Sequence, residues 1–176
     1  MRPSVRQAST GDARAIAAVG RRSFMAAYAE STSPEDLHEH VAQHFTVAAV
    51  RAAMADPACR YLVAEIDDRC AGLAKIRHGS SPDSVPGDAA IEIQQLYVEP
   101  SFQRRGVGEA LVSVTRQVAT DTGAEGVWLS VWEDAGWAVT FYEARAFRAI
   151  GKADFRVGKT LYRDLLMWLP VRNGSS

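Results

Sequence analysis

Apolar residues along this chain recur with more than one period, and each period predicts a different element. Ile16, Val19, Phe24 and Ala27 fall near helical spacing, so residues 12–28 are expected to form a helix with one apolar face, N-capped by Thr10. Leu37, Val41 and Phe45 give a second helix its buried stripe. Its start is strongly marked: Ser33 suits the N-cap, Pro34 the first helical position, and Glu35 and Asp36 complement the helix dipole. A third helix is predicted over residues 46–55, where Asp56-Pro57 stops it. Residues 5–9, 60–65 and 71–77 are strand-like, with Asp67-Asp68-Arg69 predicting a hairpin between the last two.

The second half changes character. Residues 91–98 form a strand-like run stopped by Pro100, and residues 108–121 place Ala110, Leu111, Val114 and Val118 on one helical face. Residues 126–132 are almost wholly apolar, as in a strand covered on both faces. Strand, helix and buried strand make a βαβ unit, so the two strands are expected to be parallel with a right-handed crossover. Residues 134–146 read as a helix with Ala138, Phe141 and Tyr142 inside. Residues 147–155 and 160–168 read as a closing hairpin around Val157-Gly158-Lys159. The order β-ααα-ββ-β-α-β-α-ββ predicts an α/β (α+β) domain over residues 1–170. Its mixed sheet of about seven strands carries helices on both faces, and a frayed tail follows at residues 171–176. Residues 79–88 are rich in turn formers and read as a loop.

Charge narrows the function. The 176 residues carry 20 basic and 21 acidic side chains, a net charge of −1, which argues against a nucleic-acid binder relying on a broad positive field. No run approaches the roughly 20 apolar residues that span a bilayer, and no apolar stretch after Met1-Arg2 resembles a signal peptide. Cys59 and Cys70 lack metal-binding spacing and read as reduced thiols of a cytoplasmic protein. His38, His40 and His44 share one predicted helix. Val41 stands where the metalloprotease pattern needs Glu, so they are expected to line a solvated face and bind no metal. Trp128, Trp132, Trp137 and Trp168 read as core or interface residues.

The chemistry centres on Gln103-Arg104-Arg105-Gly106-Val107-Gly108, between the strand at 91–98 and the helix at 108–121. The first amides of a helix lack partners within it and carry partial positive charge, so this turn is suited to an anion. Gly106 and Gly108 are expected to let that anion approach the backbone. Gly158-Lys159-Thr160 resembles the end of a Walker loop, but the first glycine of that motif would fall at Ala153 and no helix follows. A dinucleotide fingerprint fails because Leu111 stands at the third glycine position.

The turn, a strand ending Val98-Glu99-Pro100, Glu92 upstream and Phe141-Tyr142 downstream together resemble the GNAT superfamily of N-acetyltransferases, whose diagnostic turn is [QR]-x-x-G-x-[GA]. The resemblance is strongest over residues 91–147 and implies acetyl-CoA as donor, with no metal. It puts the donor on Leu96, Tyr97 and Val98, beside its pantetheine arm, and on Gln103, Arg104, Arg105, Gly106, Val107, Gly108 and Glu109, beside its pyrophosphate. An irregularity in Gln94-Gln95-Leu96-Tyr97 suggests a bulge whose free N–H could stabilise an oxyanion. By the same resemblance, Glu92 is the candidate general base and Tyr142 the candidate general acid. The pattern departs at Ala135, where many members have Asn, and at Ala146, where Gly is usual.

Residues 131–133 and 162–167 are most similar to the bacterial spermidine/spermine-type branch, which implies a small polyamine acceptor. Glu30, Glu35, Asp36 and Glu39 could recruit such a cation, although a helix start favours acids for its own sake. A protein N-terminus or lysine is the alternative acceptor, and a non-catalytic acyl-CoA sensor is the alternative of a different class. A homodimer is compatible with the family, and no residue here establishes it.

Overall fold

Over the described residues 1–79 and 81–171 of the computed structural model, the predicted periods resolve into seven strands and five α-helices. The strands are β1 (Ser4–Gln7), β2 (Cys59–Ile66), β3 (Arg69–Gly79), β4 (Ala90–Val98), β5 (Gly126–Trp132), β6 (Arg148–Val157) and β7 (Thr160–Pro170). The helices are α1 (Ala13–Tyr28), α2 (Pro34–His44), α3 (Val47–Ala55), α4 (Val107–Asp121) and α5 (Gly136–Glu143). The strands form one sheet in the order β1-β2-β3-β4-β5-β7-β6. Only β4 and β5 pair in parallel, as the βαβ pattern predicts; every other neighbouring pair is antiparallel.

Strand alternation separates two faces. Leu62, Ala74, Ile91, Ile93, Val127, Leu129, Met167 and Leu169 point to one side and pack with Val107 and Leu111 of α4 and Ala138 and Tyr142 of α5. Tyr61, Val63 and Leu73 point to the other and pack with Ala13, Ile16 and Val19 of α1 and Val50 of α3. The second face continues over Phe24, Leu37, Val41, Phe45, Val157 and Tyr162.

Local chemistry fixes most element ends. Ser33 accepts the Asp36 N–H at 3.2 Å, and Thr46 caps α3 by accepting the Ala49 N–H at 3.0 Å. The hairpin between β2 and β3 turns on Asp67 and Asp68, both left-handed at φ 52° and 58°, the pairing a two-residue turn of this hand requires. Three expectations change. The N-cap near α1 is Ser9, not Thr10: a 3-10 turn over Thr10–Asp12 precedes the helix, and the Asp12 carboxylate accepts the Ser9 N–H at 2.7 Å. The fifth helix is shorter than residues 134–146, because Ala135 already has a non-helical backbone and the chain reverses after Glu143. Val171 is held, its N–H donating to the Glu125 carbonyl at 2.9 Å; the rest of the expected frayed tail lies outside the described residues.

Candidate active site

The turn before α4 is built from unusual backbone. Arg104 sits at φ 61° and Gly106, the N-cap of α4, at φ 78°. A Cβ on Gly106 would meet nothing within 4 Å, so its side faces open space and glycine is favoured there by the left-handed backbone alone. The amides of residues 104–109 donate to nothing among the described residues, and the first helical bond there is made by the Ala110 N–H to the Gly106 carbonyl at 3.0 Å. Gly108 has a reason within the fold beside the expected one. A Cβ there would come within 3.0 Å of Phe141 Cζ, so glycine lets α5 dock on α4. Val107 is buried and anchors the turn. Phe102 beneath it is faced by two guanidinium groups, Arg69 at 5.0 Å and Arg105 at 5.6 Å. Glu109 is exposed and lies 3.4 Å from Arg145, whose guanidinium covers the Phe141 ring at 3.7 Å.

From this turn the sheet opens. β4 and β5 pair over only Ala90 to Ile93 and Gly126 to Leu129. Beyond those residues β4 stays paired to β3 through Val98, while β5 stays paired to β7 through Trp132. The β5-facing edge of β4 therefore has no ladder partner along Gln94, Gln95, Leu96, Tyr97 and Val98. The predicted bulge is present at Gln94: Ile76 opposes Ile93 but Lys75 opposes Gln95. The extra residue shifts the strand's phase, so Leu96 and Val98 rejoin Ile91 and Ile93 on the α4 face. Glu92 and Tyr97 take the opposite face.

Glu92 is half-buried and opposes Arg77 in register, yet Arg77 bonds Asp56 at 2.8 Å instead. The Glu92 carboxylate accepts from Gln94 Nε2 at 3.1 Å. Burial raises its pKa above the ordinary carboxylate value, against the smaller opposing effects of Gln94, Arg77 and Lys75. Tyr142 lies on the α4 face, buried, and burial pushes its phenol well above the usual value. Its hydroxyl makes no hydrogen bond among the described residues.

The end of α5 holds Tyr142 in place. The Phe147 N–H donates to the Tyr142 carbonyl at 3.1 Å and the Ala146 N–H to the Glu143 carbonyl at 3.0 Å, the paired bonds of a Schellman cap. The Phe147 ring packs edge-on against Tyr142 at 5.5 Å, the apolar contact that accompanies such a cap. Ala146 occupies the left-handed position at φ 69°, where glycine is preferred. The equivalent cap on α4 uses Gly123 at φ 73°.

Across the opening, the other face is aromatic. Tyr28 lies against Trp132 at 6.0 Å, and Tyr162 meets both rings edge-on at 5.1 and 5.0 Å. Tyr162 is held by Ser31 at 2.7 Å and by Thr32. Phe24 stacks on His40 at 4.5 Å. His40 is thus part of this wall and not of a solvated face; burial and the neighbouring His44 lower its pKa to about 4, so it is neutral at pH 7. Beside the wall, Asp164 opposes Trp132 across β5 and β7 and accepts from Ser130 Oγ at 2.7 Å.

Comparison with known proteins decides the class. The sequence model of the acetyltransferase (GNAT) family matches residues 21–147. The chain belongs to this family. An uncharacterized N-acetyltransferase of Mycobacterium tuberculosis is 30% identical over 156 residues, 89% of this chain and 96% of its own length. An uncharacterized N-acetyltransferase of Lactobacillus delbrueckii subsp. lactis is 24% identical over 161 residues, 92% of this chain and 93% of its own. Among solved structures, the PaiA N-acetyltransferase of Thermoplasma acidophilum, crystallised with coenzyme A, superposes with a TM-score of 0.76 at 17% identity, covering 97% of this chain and 99% of that one. The expected GNAT-type fold and the transferase class are borne out.

In this GNAT protein the structure gathers Glu92, the free edge of β4 and the Gln103–Gly108 turn along one opening, with Tyr142 on one face of it. It does not gather the acidic set at the start of α2. Glu30, Glu35 and Glu39 are exposed, and Asp36 instead accepts the Lys159 N–H at 3.3 Å, tying α2 to the β6–β7 turn. Asp164 was missed by sequence reasoning. Its signal was parity: it shares one strand face with Tyr162, Leu166 and Trp168, all buried. No group of three or more His, Cys, Asp or Glu side chains among the described residues could hold a metal ion.

Proposed function

We propose that the protein transfers the acetyl group of acetyl-CoA to a primary amine by direct attack in a ternary complex. The observation that carries this reading is the separation of β4 from β5 immediately beside an α4 N-terminus whose amides are free. The unpaired edge at Leu96, Tyr97 and Val98 suits an amide-bearing pantetheine arm, which would add to it as a short strand. The amides from Arg104 to Glu109 suit the pyrophosphate, with Gln103 leading into the turn and Arg104 and Arg105 adding positive charge. Acetyl-CoA, when bound, supplies an activated thioester.

The remaining steps belong to this chain. An alkyl ammonium has a reference pKa of about 10.4 and must lose a proton before attack. Glu92 takes that proton through a water molecule, and its raised pKa makes it a better base than an exposed carboxylate. An N–H at the Gln94 bulge faces the charge that develops on the thioester oxygen. As the new C–N bond forms and the C–S bond breaks, Tyr142 gives its proton to the departing thiolate. Burial keeps this phenol protonated until that moment. A small polyamine is the acceptor favoured by the resemblance of residues 131–133 and 162–167.

The test is purified protein with acetyl-CoA and a panel of amines, read by thiol release. Turnover on alkyl amines is expected. Tight CoA binding with no thiol release on any amine, lysine peptides and protein N-termini included, would make the protein an acyl-CoA sensor instead.

A further inference from the structure

Asp164 is a buried carboxyl group that no cation among the described residues balances, and burial raises its pKa above the ordinary carboxylate value, so its ionised form lacks a partner. Only 6% of the residue is exposed, and it is the one buried carboxylate among the described residues. Ser130 satisfies Oδ2 at 2.7 Å, while Oδ1 is buried without any partner. No Lys, Arg or His forms an ion pair with it among the described residues. The charge that reaches it is the like charge of Glu133, itself paired with Lys152 at 2.9 Å. An unpartnered buried carboxylate costs several kcal/mol, so its retention calls for a partner that arrives from outside.

The surroundings identify that partner. Trp132 opposes Asp164 in register, its ring is 25° from parallel with that of Tyr28, and Tyr162, two residues from Asp164 on the same strand face, meets both rings edge-on. Burial raises the Tyr28 phenol's pKa, and the nearby Asp164 and Tyr162 add to the rise. A carboxylate with a vacant acceptor atom beside electron-rich ring faces is the environment that binds an alkylammonium. The place also fits. Ser130, which holds Asp164, is the first residue of β5 beyond its pairing with β4, so the carboxylate lies one strand over from the level at which the sheet opens. Glu92 lies on the same sheet face, level with Trp128, four residues from Trp132 or roughly 13 Å along the strand.

We propose that Asp164, Tyr28 and Trp132 form a binding site for a second, non-reacting ammonium of the acceptor, so that the preferred substrates carry two cationic nitrogens. The proposal rests on the acetyl-transfer reading and deepens it. Asp164 is a binding residue here, and the reacting nitrogen remains the one nearer Glu92.

The test compares 1,8-diaminooctane, long enough to reach from Asp164 toward the level of Glu92, with octylamine on the full chain and on Asp164→Asn. The variant is expected to raise KM for the diamine about tenfold or more, the loss of one charge-assisted hydrogen bond, while kcat and the kinetics of octylamine stay within about twofold. Acetyl-CoA affinity should not change and Tm should hold or rise, because an uncompensated buried charge is removed. Equal losses for both amines, or a lower kcat alone, would overturn the proposal. Should Asp164→Asn fail to fold, Tyr28→Leu carries the same comparison. Calorimetry of the two amines on wild-type protein separates this site from the transfer reaction: tighter diamine binding without turnover would retain the ammonium site and reject the transferase reading, and equal binding would reject the site.

Discussion

The two faces of the sheet at the β4–β5 opening are built on opposite principles. The α4 face is a single apolar core, and Tyr142 is the titratable residue packed into it. The α1 face carries Glu92, Asp164, His40 and a run of tyrosine, tryptophan and phenylalanine rings. The first face relies on backbone: free amides, an unpaired strand edge and one phenol held by a helix cap. The second relies on side chains gathered from α1, β4, β5 and β7. Backbone recognition suits a donor common to a whole family, and side-chain recognition suits an acceptor that differs between members.

The largest expected effect tests the apolar face. Tyr142→Phe should lower kcat by about 10²- to 10⁴-fold with acetyl-CoA affinity nearly unchanged, as measured by thiol release and equilibrium binding. Unchanged turnover would remove Tyr142 from the chemistry and leave that face purely structural. On the opposite face, Glu92→Gln should cost about 10²-fold in kcat and abolish the acid limb of the pH–rate profile. That limb should lie above the ordinary carboxylate range, because burial raises the Glu92 pKa. The sign for stability is the reverse. A carboxylate with a raised folded-state pKa favours folding most below its unfolded pKa, and that contribution is lost as pH rises through the raised value. Unfolding of wild type and Glu92→Gln across this window measures the difference.

The backbone side is tested next at Gly106. Gly106→Asp should weaken acetyl-CoA binding by about tenfold or more through like charge at the pyrophosphate seat. Gly106→Asn, which also tolerates a left-handed backbone, separates charge from strain, and equal affinity in wild type and the Asp variant would move the donor elsewhere. The smallest effect concerns the cap that holds Tyr142. Ala146→Gly should raise stability by about 0.5–1 kcal/mol, since relief of left-handed strain exceeds the added unfolded-state entropy. A fall in Tm would mean that Ala146 packs better than its backbone suggests.

The same contrast explains what could be read before the structure. The strand, turn and helices of the proposed donor side were legible because they are contiguous: a strand, a turn of fixed glycine spacing and a helix with its tyrosine near the end. Even there a second role of Gly108 stayed hidden, because Phe141 reaches it only through the docking of α5. The bulge was visible as broken alternation in residues 94–97, since two polar residues cannot both face a core. The aromatic face proposed for the acceptor was not legible. Tyr28, Trp132, Tyr162 and Asp164 are spread over most of the chain, and only the β5–β7 register and the path of α1 bring them together. The acidic residues around α2 looked more promising for a cation, yet their order reflects helix capping and a tie to the β6–β7 turn.

The bulge at Gln94 makes β4 two strands with separate reading frames. Upstream, residue 92 faces the α1 side; downstream, residues 96 and 98 face the α4 core. Substitutions on either side leave the other frame intact. A deletion of one residue here would take away the bulge and keep the phase: with one residue left between Ile93 and Leu96, plain alternation already puts Leu96 and Val98 on the α4 face. What the deletion would remove is the break in the β3–β4 ladder, and with it the irregular stretch of the unpaired edge.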